Sequence, residues 1–490
     1  KIKKIMIRLM LIARLVFASR PPAMGYNTWN DLRCTNVTAK KIEALADRLL
    51  ELGFVSAGYT YLNIDDCWSA VDTIGPNGEL IPDPQGFPDG ILALSKKLHS
   101  KGLKFGLYAC RGYWTCAGRP GSRGREVVHA KQMAQWEIDY LKYDSCFSPN
   151  FTREGALQDY ETMSKALKNT GRDILFAVCG WSAWYAPYGS ERLAASSWRI
   201  SADADEWANI YLAIRTNEQL TRYAKPGIGY NDPDMLLGSS PHAAVSLTPE
   251  QSRAQFALWA MMTAPLLLGA SLQDLSTWDL ETYLNPNVIA IDQDPLFIQG
   301  EPIFSSCPKF IPRDNWWCSP WSMPADIFEM WRNALGQFAA LALAIAFLIR
   351  KRTKPVALIF LTLATAALLY SKMLVYYRPR IDSCTQIWAK PLSGRRAALL
   401  FINFSPEDDI TMHCDSHCLY SALSLHRNSS TLPELFPLTS AELSASILAF
   451  NLYAGNTTTL SSTDSLSVHL NPNGEATIFT LEFSYSSTSI

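Results

Sequence analysis

The stretch "YLKYDSC", residues 140–146, places a short apolar run directly before a carboxylate and a cysteine. Tyr140, Leu141 and Tyr143 are typical of a short buried strand. A carboxylate at the end of such a strand is costly to bury unless the protein uses it. Asp144 is therefore the first candidate for a functional side chain.

Seven further runs of this type lie between Ala23 and Asp294, each short, apolar and ended by polar residues. The eight runs, in chain order, are "AMGYNTWN", "YTYLNIDDCW", "LKFGLYAC", "YLKYDSC", "ILFAVCGW", "SWRISADAD", "GIGYNDPDM" and "TAPLLLGAS". Helical patterns separate them, such as "TAKKIEALADRLLELG", which Thr38 is expected to cap. Eight strand–helix units over roughly 270 residues predict an α/β fold, a (β/α)8 TIM barrel. A doubly wound open sheet is the alternative, but no Gly-rich phosphate loop follows the first run.

In such a barrel the active site lies at the carboxyl ends of the strands. The polar and aromatic side chains at those ends are Trp29, Asp65, Asp66, Tyr108, Lys142, Asp144, Arg199, Asp203, Asp232 and Asp234. A single strand-end Asp is more often a cap than a catalyst. Several such groups at one rim favour a functional site.

Two carboxylates on either side of a glycosidic bond are sufficient for its hydrolysis. Asp144 and Asp203 are the best pair, as nucleophile and acid/base. Lys142 lies two residues before Asp144 and so on the same side of the strand, where its charge favours an ionised nucleophile. Arg199 stands in a similar place before Asp203.

The pattern changes after the barrel, which we assign to residues 21–298. Residues 299–490 alternate apolar and polar positions between Gly, Pro and Asn turns, which predicts a C-terminal all-β domain of antiparallel strands. Residues 1–20 resemble a leader, although Arg8 and Arg14 interrupt their apolar run.

An atypical apolar insert at about 306–383 interrupts the β domain. It contains "NWWCSPW" and two apolar runs, 338–349 and 355–370, separated by "RKRTK". Both runs are shorter than the roughly 20 residues of a typical spanning helix. The alternatives are a membrane hairpin through 338–370, a buried or disordered insert, and a translated non-coding stretch.

Composition indicates the class of partner. The chain of 490 residues has a formal net charge of -1, which gives no reason to expect nucleic acid, while its 15 Trp and 20 Tyr suit an uncharged ligand such as a sugar. Eleven Cys, with sequons at Asn36, Asn150, Asn403, Asn428 and Asn456, indicate a secreted or lysosomal/vacuolar glycoprotein with disulfide bonds. Membrane anchoring and a homodimeric assembly both remain open.

Several of these motifs together carry a family resemblance. "GYNTW", "YLNIDDCW", "YLKYDSC", "SWRISADAD", "GYNDPDML" and "QDPLFIQG", in this order, resemble glycoside hydrolase family 27 of clan D, the α-galactosidase and α-N-acetylgalactosaminidase group. The resemblance implies a barrel followed by a C-terminal antiparallel β-sandwich domain. It also implies a retaining hydrolase of terminal α-linked galactose, with Asp144 as nucleophile and Asp203 as acid/base. It also implies a set of substrate-binding positions: Trp29, Asp65, Asp66, Tyr108, Cys116, Lys142, Gly180, Trp181, Arg199, Asp234 and Met235.

The same resemblance implies two disulfides, Cys34 with Cys67 and Cys116 with Cys146. Cys179 matches a family half-cystine whose partner position, near Ala195, is not Cys. Cys110 stands where the family usually has Asp. We therefore consider a Cys110–Cys179 bridge, with two free thiols as the alternative.

One departure bears on the substrate. The family's α-galactosidases usually have Glu after the cysteine, whereas this chain has "CGWSAW". Gly180 leaves extra room, which would admit the 2-acetamido group of an α-N-acetylgalactosaminide unless Trp181 and Trp184 refill it. α-Galactosidase activity is the first expectation, and a non-catalytic sugar-binding protein is the alternative from another class.

Neither a cofactor nor a metal is expected. The stretch "HCDSHC", residues 413–418, has a C-x3-C spacing without a second ligand pair, which favours a short disulfide or a loop over zinc. No G-x-S-x-G elbow follows a strand, which disfavours a Ser/His/Asp hydrolase.

Overall fold

The computed structural model describes residues 20–150, 152–240, 246–310, 325–349, 354–375, 381–425, 446–461 and 463–484. The leader-like residues 1–19, the stretch "NWWCSPW" and the sequon at Asn428 lie outside the described residues.

The barrel region contains the first ten strands. They are β1 (Met24–Asn27), β2 (Tyr61–Asn63), β3 (Ser69–Ile74), β4 (Leu80–Pro82), β5 (Lys104–Cys110), β6 (Tyr140–Asp144), β7 (Leu175–Val178), β8 (Ser197–Arg199), β9 (Tyr230–Asp232) and β10 (Leu266–Leu268). Eight of them form a parallel sheet in the order β10-β1-β2-β5-β6-β7-β8-β9. Leu236, which follows β9, forms a parallel β-bridge with Leu268 of β10. This bridge connects the two ends of the strand order. All eight predicted runs are strands of this curled sheet, which confirms the (β/α)8 barrel.

The remaining pair, β3 and β4, forms an antiparallel hairpin that the sequence patterns did not indicate. Helices surround the parallel strands. Their bounds are Trp29–Leu32, Ala39–Glu51, Gly90–Ser100, Glu126–Gln135, Arg153–Lys168, Trp207–Asn217, Pro249–Met262, Thr277–Tyr283 and Pro286–Asp292. Thr38 caps its helix as expected, since its side chain accepts from Lys41 N–H.

The C-terminal region forms antiparallel sheets. Its strands are β11 (Glu301–Ser305), β12 (Thr385–Leu392), β13 (Arg396–Asn403), β14 (Ile410–Cys414), β15 (Ser446–Asn451), β16 (Thr457–Leu460), β17 (Leu466–Leu470) and β18 (Ala476–Ser484). Among the described residues, six of these pair in the order β11-β12-β13-β18-β15-β16, and β14 pairs with β17. The β domain also holds a helix, Ser416–Ser424, which an all-β reading missed although Asp415 caps it and Leu419 and Leu423 bury one face.

The residues Trp321–Ile381 form a compact unit of their own. Its helices are Ala325–Ile349 and Lys354–Val375, and they contact each other. Ala342 and Ala364 are buried, whereas Phe347 is 74% exposed, so small side chains face inward in this helix pair. Within the described residues, neither these helices nor any other helix has the length and apolar character needed to cross a membrane.

Candidate active site

Asp144 is the last residue of β6 and is buried, with 4% of its surface exposed. The Tyr108 hydroxyl donates to its Oδ2 at 2.8 Å, and the Ser145 N–H donates to its Oδ1 at 2.8 Å. Both carboxylate oxygens therefore have donors, which fixes the orientation of the group. A carboxylate held in one direction is suited to attack a bound substrate.

Burial raises the pKa of Asp144 to about 7. The Lys142 charge lowers this pKa and the Asp203 charge raises it, but the loss of hydration has the largest effect. The prediction that Lys142 is the electrostatic partner of Asp144 is therefore incomplete. Lys142 Nζ makes its ion pair with Asp65 Oδ2 at 2.7 Å, and the net shift of the Asp144 pKa is upward.

Asp203 has a different environment. Its side chain is 28% exposed and forms an ion pair with Arg199, from Oδ1 to Nη2 at 2.9 Å. The same guanidinium group contacts Asp234 Oδ2 at 2.8 Å. Arg199 thus joins two of the predicted site residues, while Asp203 keeps the contact with water that proton exchange requires.

The Asp65 and Asp66 carboxylates are also ordered by donors. Asp65 Oδ2 accepts from Asn27 Nδ2 at 2.8 Å as well as from Lys142, and Asp66 Oδ2 accepts from the Ala117 N–H at 2.9 Å. Burial raises the pKa of Asp66 to about 6. Asn27 was missed by the sequence reasoning, although it ends β1 within "GYNTW", where a buried amide needs a partner.

Trp29 and Met235 belong to one hydrophobic cluster. Trp29 is half-buried and packs against a group of buried residues that includes Met235, whose N–H donates to Asp234 Oδ1 at 2.8 Å. A cavity of about 20 Å³ is bordered by Met235, Lys142, Arg199 and other site residues. This space holds about one water molecule and is too small for a sugar ring.

Gly180 does not leave free space. A Cβ built on Gly180 would lie 2.0 Å from Tyr185 Cε2, so the tyrosine ring occupies the volume of the missing side chain. Tyr185 is fully buried and stacks on Trp184 with ring centroids 3.8 Å apart. The expectation of extra room at Gly180 is therefore wrong, and Tyr185 is the residue that fills it. Trp181 is buried with a positive φ of 51°.

The two disulfides that the resemblance implied, Cys34–Cys67 and Cys116–Cys146, are present, each with Cα atoms 5.2 Å apart. Cys116 Sγ lies 3.4 Å from Asp144 Oδ2, so the second bridge borders the nucleophile candidate directly. The β domain contains two more, Cys307–Cys384 and Cys414–Cys418. The last of these is the short disulfide that "HCDSHC" indicated.

The Cys110–Cys179 bridge is not formed, and both thiols are free and buried. Cys110 ends β5, Cys179 follows β7, and β6 lies between these strands. Neighbouring strands are about 4.8 Å apart, which puts the two cysteines roughly 10 Å apart and beyond the reach of a disulfide. Cys110 Sγ instead donates to the Cys146 carbonyl at 3.2 Å.

Arg111 is a second residue that the sequence patterns did not reveal. It is 1% exposed, its N–H donates to the Asp144 carbonyl at 3.0 Å, and its Nε donates to Ser145 Oγ at 2.8 Å. Its Nη1 contacts Asp159 Oδ2 at 2.8 Å. Arg111 therefore supports the turn that carries Asp144. An isolated Arg after a strand gave no signal of this role.

Two other features do not compete with this site. Among the described residues, Cys116, Asp144 and Cys146 are close enough to suggest a metal cluster, but the two sulfurs are bonded to each other and are not available as ligands. A larger cavity of about 420 Å³ borders Arg20, Lys104 and Arg172. It lies at the amino ends of the strands, the face that serves stability in such barrels.

Comparison with known proteins agrees with this geometry. The family model described as α-galactosidase A matches residues 21–294. α-Galactosidase 3 of Arabidopsis thaliana is 39% identical over 292 residues, which cover 58% of this chain and 63% of the relative, and α-galactosidase 2 of that plant is 40% identical over 290 residues, covering 58% and 69%. The chain thus spans about three fifths of the length of the first of these relatives.

Solved structures show the same architecture. The α-galactosidase of Saccharomyces cerevisiae superposes with a TM-score of 0.70 at 22% identity, covering 95% of this chain and 98% of that one. At this identity the likeness shows the fold. The family match over more than half of the chain goes further, and the chain belongs to the α-galactosidase A family, which is family 27 of the glycoside hydrolases.

Proposed function

We propose that the protein is a retaining exo-glycosidase that removes terminal α-linked galactose from oligosaccharides or glycoconjugates. The observation that carries the proposal is the pair Asp144 and Asp203, which interact through their charges but have different surroundings. Asp144 is buried and fixed by donors, whereas Asp203 is partly exposed beside a guanidinium group. This difference supports separate roles for two residues of the same type.

In the first step, Asp144 attacks the anomeric carbon while Asp203 gives its proton to the glycosidic oxygen. The bond from carbon to the leaving oxygen breaks, the aglycone leaves as an alcohol, and a covalent glycosyl-enzyme remains. In the second step, Asp203 takes a proton from water, and the resulting hydroxide displaces Asp144 from the anomeric carbon. Two inversions give net retention.

Recognition of the sugar is assigned to the groups around this pair. Asp65 and Asp66 offer acceptors to sugar hydroxyls, Lys142 is a donor beside them, and Trp29 offers an aromatic wall. The Tyr185 ring fills the volume of the side chain that Gly180 lacks, so the glycine offers no extra room for a 2-acetamido group, and we rank a 2-hydroxyl first. α-N-Acetylgalactosaminidase activity is therefore the second candidate. A non-catalytic sugar-binding protein is disfavoured because both carboxylates are present.

The cellular site is part of the proposal. The four disulfides of the described residues support an oxidising compartment, and we assign the protein to secretion or to the lysosome or vacuole. Among the sequons, Asn36 and Asn456 are exposed, whereas Asn403 is buried and its Nδ2 donates to the Asp408 carbonyl. Glycans are expected at the first two and not at Asn403.

The test compares two aryl glycosides, α-galactoside and α-N-acetylgalactosaminide, as substrates of the purified full chain. We expect hydrolysis of the galactoside at a rate at least tenfold higher, with an α-configured sugar as the first product in NMR. A 2-fluoro galactosyl fluoride should label the peptide that contains Asp144. Hydrolysis of neither glycoside, or release of a β-configured sugar, would contradict the proposal.

A further inference from the structure

Asp234 has a backbone conformation that residues other than glycine rarely adopt. Its φ is 92°, in the left-handed region that favours glycine, and its side chain is buried. The chain has a carboxylate at this position although glycine would relieve the strain. A strained residue within a candidate site is an outlier from which a role can be inferred.

The Asp234 carboxylate contacts the segment that carries Asp203. Its Oδ2 accepts from the Ala204 N–H at 2.7 Å and pairs with Arg199 Nη2 at 2.8 Å. Ala204 follows Asp203 in the chain, and the Arg199 guanidinium group also pairs with the Asp203 carboxylate. Asp234 therefore holds both the backbone beside the proposed acid/base and the cation that orients its side chain.

Two buried side chains of one helix hold the backbone of Asp234 and of the residues after it. Trp259 Nε1 donates to the Asp234 carbonyl at 2.6 Å. Gln255 uses both ends of its amide, since Nε2 donates to the Met235 carbonyl at 2.9 Å and Oε1 accepts from the Leu237 N–H at 3.0 Å. Trp259 and Gln255 are fully buried and lie four residues apart, on the same face of their helix. Two side chains thus fix three backbone groups of this strained segment.

The helix that carries them, Pro249–Met262, is itself fixed at both ends. At its start, Gln251 completes a capping box, and its Nε2 also donates to Asn473 Oδ1 at 2.9 Å in the β domain. At its end, the buried Lys390 of β12 donates from Nζ to the Ala260 carbonyl at 2.8 Å. An ammonium group interacts favourably with the last carbonyls of a helix. The helix is therefore a rigid support for the two side chains.

We propose that Trp259 and Gln255 are positioning residues of the reaction, which act through Asp234 to set the place of Asp203. The inference rests on the proposed function, because it concerns the acid/base of that mechanism. Proton transfer to the leaving oxygen depends on the distance and direction of the donor, so a small displacement of Asp203 is costly.

The two carboxylates of the mechanism are held by different groups. Asp144 accepts from Tyr108 and from the Ser145 N–H, whereas Asp203 is held through Arg199 and the segment next to Asp234. Displacement of the acid/base should therefore leave the nucleophile in place. Proton donation is essential for a poor leaving group such as methanol and matters little for 2,4-dinitrophenolate, which leaves as an anion. The ratio of the rates on these two substrates measures the contribution of the acid.

The experiment measures kcat/KM for methyl α-galactoside and for 2,4-dinitrophenyl α-galactoside. Trp259→Phe, which keeps an aromatic ring without the N–H, and Gln255→Met are compared with the wild type. Trp388→Phe is the matched control, since Trp388 is equally buried and donates its Nε1 to Gln386 Oε1 within the β domain. We expect Trp259→Phe and Gln255→Met each to lose about tenfold to 100-fold on the methyl galactoside and less than about threefold on the dinitrophenyl galactoside.

The control variant should keep the wild-type ratio of the two rates. Because both rates come from one preparation, their ratio does not depend on how much of a variant folds. Losses of equal size on both substrates would show a general structural role for the two side chains, and unchanged rates on both would show that Asp203 keeps its place without them; each result overturns the inference. Turnover of the dinitrophenyl galactoside by the wild type tests the proposed function separately, because the wild type retains both supporting side chains.

Discussion

Replacing Asp144 by Asn removes the proposed nucleophile and also a buried charge. The side chain keeps its size, so Tyr108 and Ser145 remain close to its oxygen and nitrogen. Because burial raises the pKa of Asp144 from 3.8 to about 7, ionisation of this group opposes folding. We therefore expect Asp144→Asn to abolish activity and to stabilise the protein.

The size of the gain follows from the pKa. A shift of about three units corresponds to about 4 kcal/mol, at about 1.36 kcal/mol per unit. The folded pKa lies above the unfolded one, so the stability contributed by the protonated carboxyl is complete below pH 4 and is lost as the pH rises through 7. The Asn side chain cannot ionise. The variant and the wild type should be equally stable near pH 4 and differ by about 4 kcal/mol at pH 8.

The assay is urea unfolding at pH 4, 6 and 8, together with initial rates on the aryl α-galactoside. Activity of Asp144→Asn should fall at least about 10³-fold. Asp66→Asn is a matched control, since the pKa of Asp66 is raised to about 6 and its stability difference should be smaller and complete at a lower pH. If the Asp144→Asn difference is the same at pH 4 and pH 8, the reasoning about the buried charge is refuted.

Three further predictions concern the surroundings of the site. Gly180→Ala should cost about 1–3 kcal/mol or more in urea unfolding, because its Cβ overlaps the buried Tyr185 ring, and Tyr185→Leu should recover part of this cost; an unchanged midpoint would contradict the packing. Ser145→Ala should lower kcat about tenfold with little change in KM, because it removes the hydroxyl that accepts from Arg111 Nε and supports the turn that carries Asp144. A change in KM alone would contradict this role. Excision of residues 309–382 with a short linker should leave activity within about twofold, because β11 and β12 are already paired beside the cut; an insoluble or inactive product would contradict it.

The fold was predictable because its signal is repeated. Each short apolar run ends in polar residues, and a run such as Tyr140–Asp144 keeps its strand assignment whatever its neighbours do. The pairing order then follows from the chain order, as in other parallel barrels. That order also excludes the Cys110–Cys179 bridge, because the run between them in sequence lies between them in space.

Partners within the site were less predictable. The period of a strand places Lys142 on the same side as Asp144. It does not reveal that Asp65, from a separate part of the chain, forms the ion pair with the Lys142 ammonium group. In the same way, Gly180 shows that a side chain is absent without showing which residue takes its place. Tyr185 fills that space through a short helical turn, Ala183–Tyr185, that has no pattern of its own.

The balance of charge in the site connects these details to the reaction. Among the described residues, the site contains six carboxylates and two cationic side chains. They are Asp65, Asp66, Asp144, Asp203, Asp232 and Asp234, with Lys142 and Arg199. Burial raises the pKa of Asp66, Asp144 and Asp234, so each of these groups binds a proton more readily than an exposed carboxylate does. The transition state of glycoside hydrolysis is a cation resembling an oxocarbenium ion. On the proposed function, the carboxylates of this pocket stabilise that positive charge as it develops at the anomeric carbon.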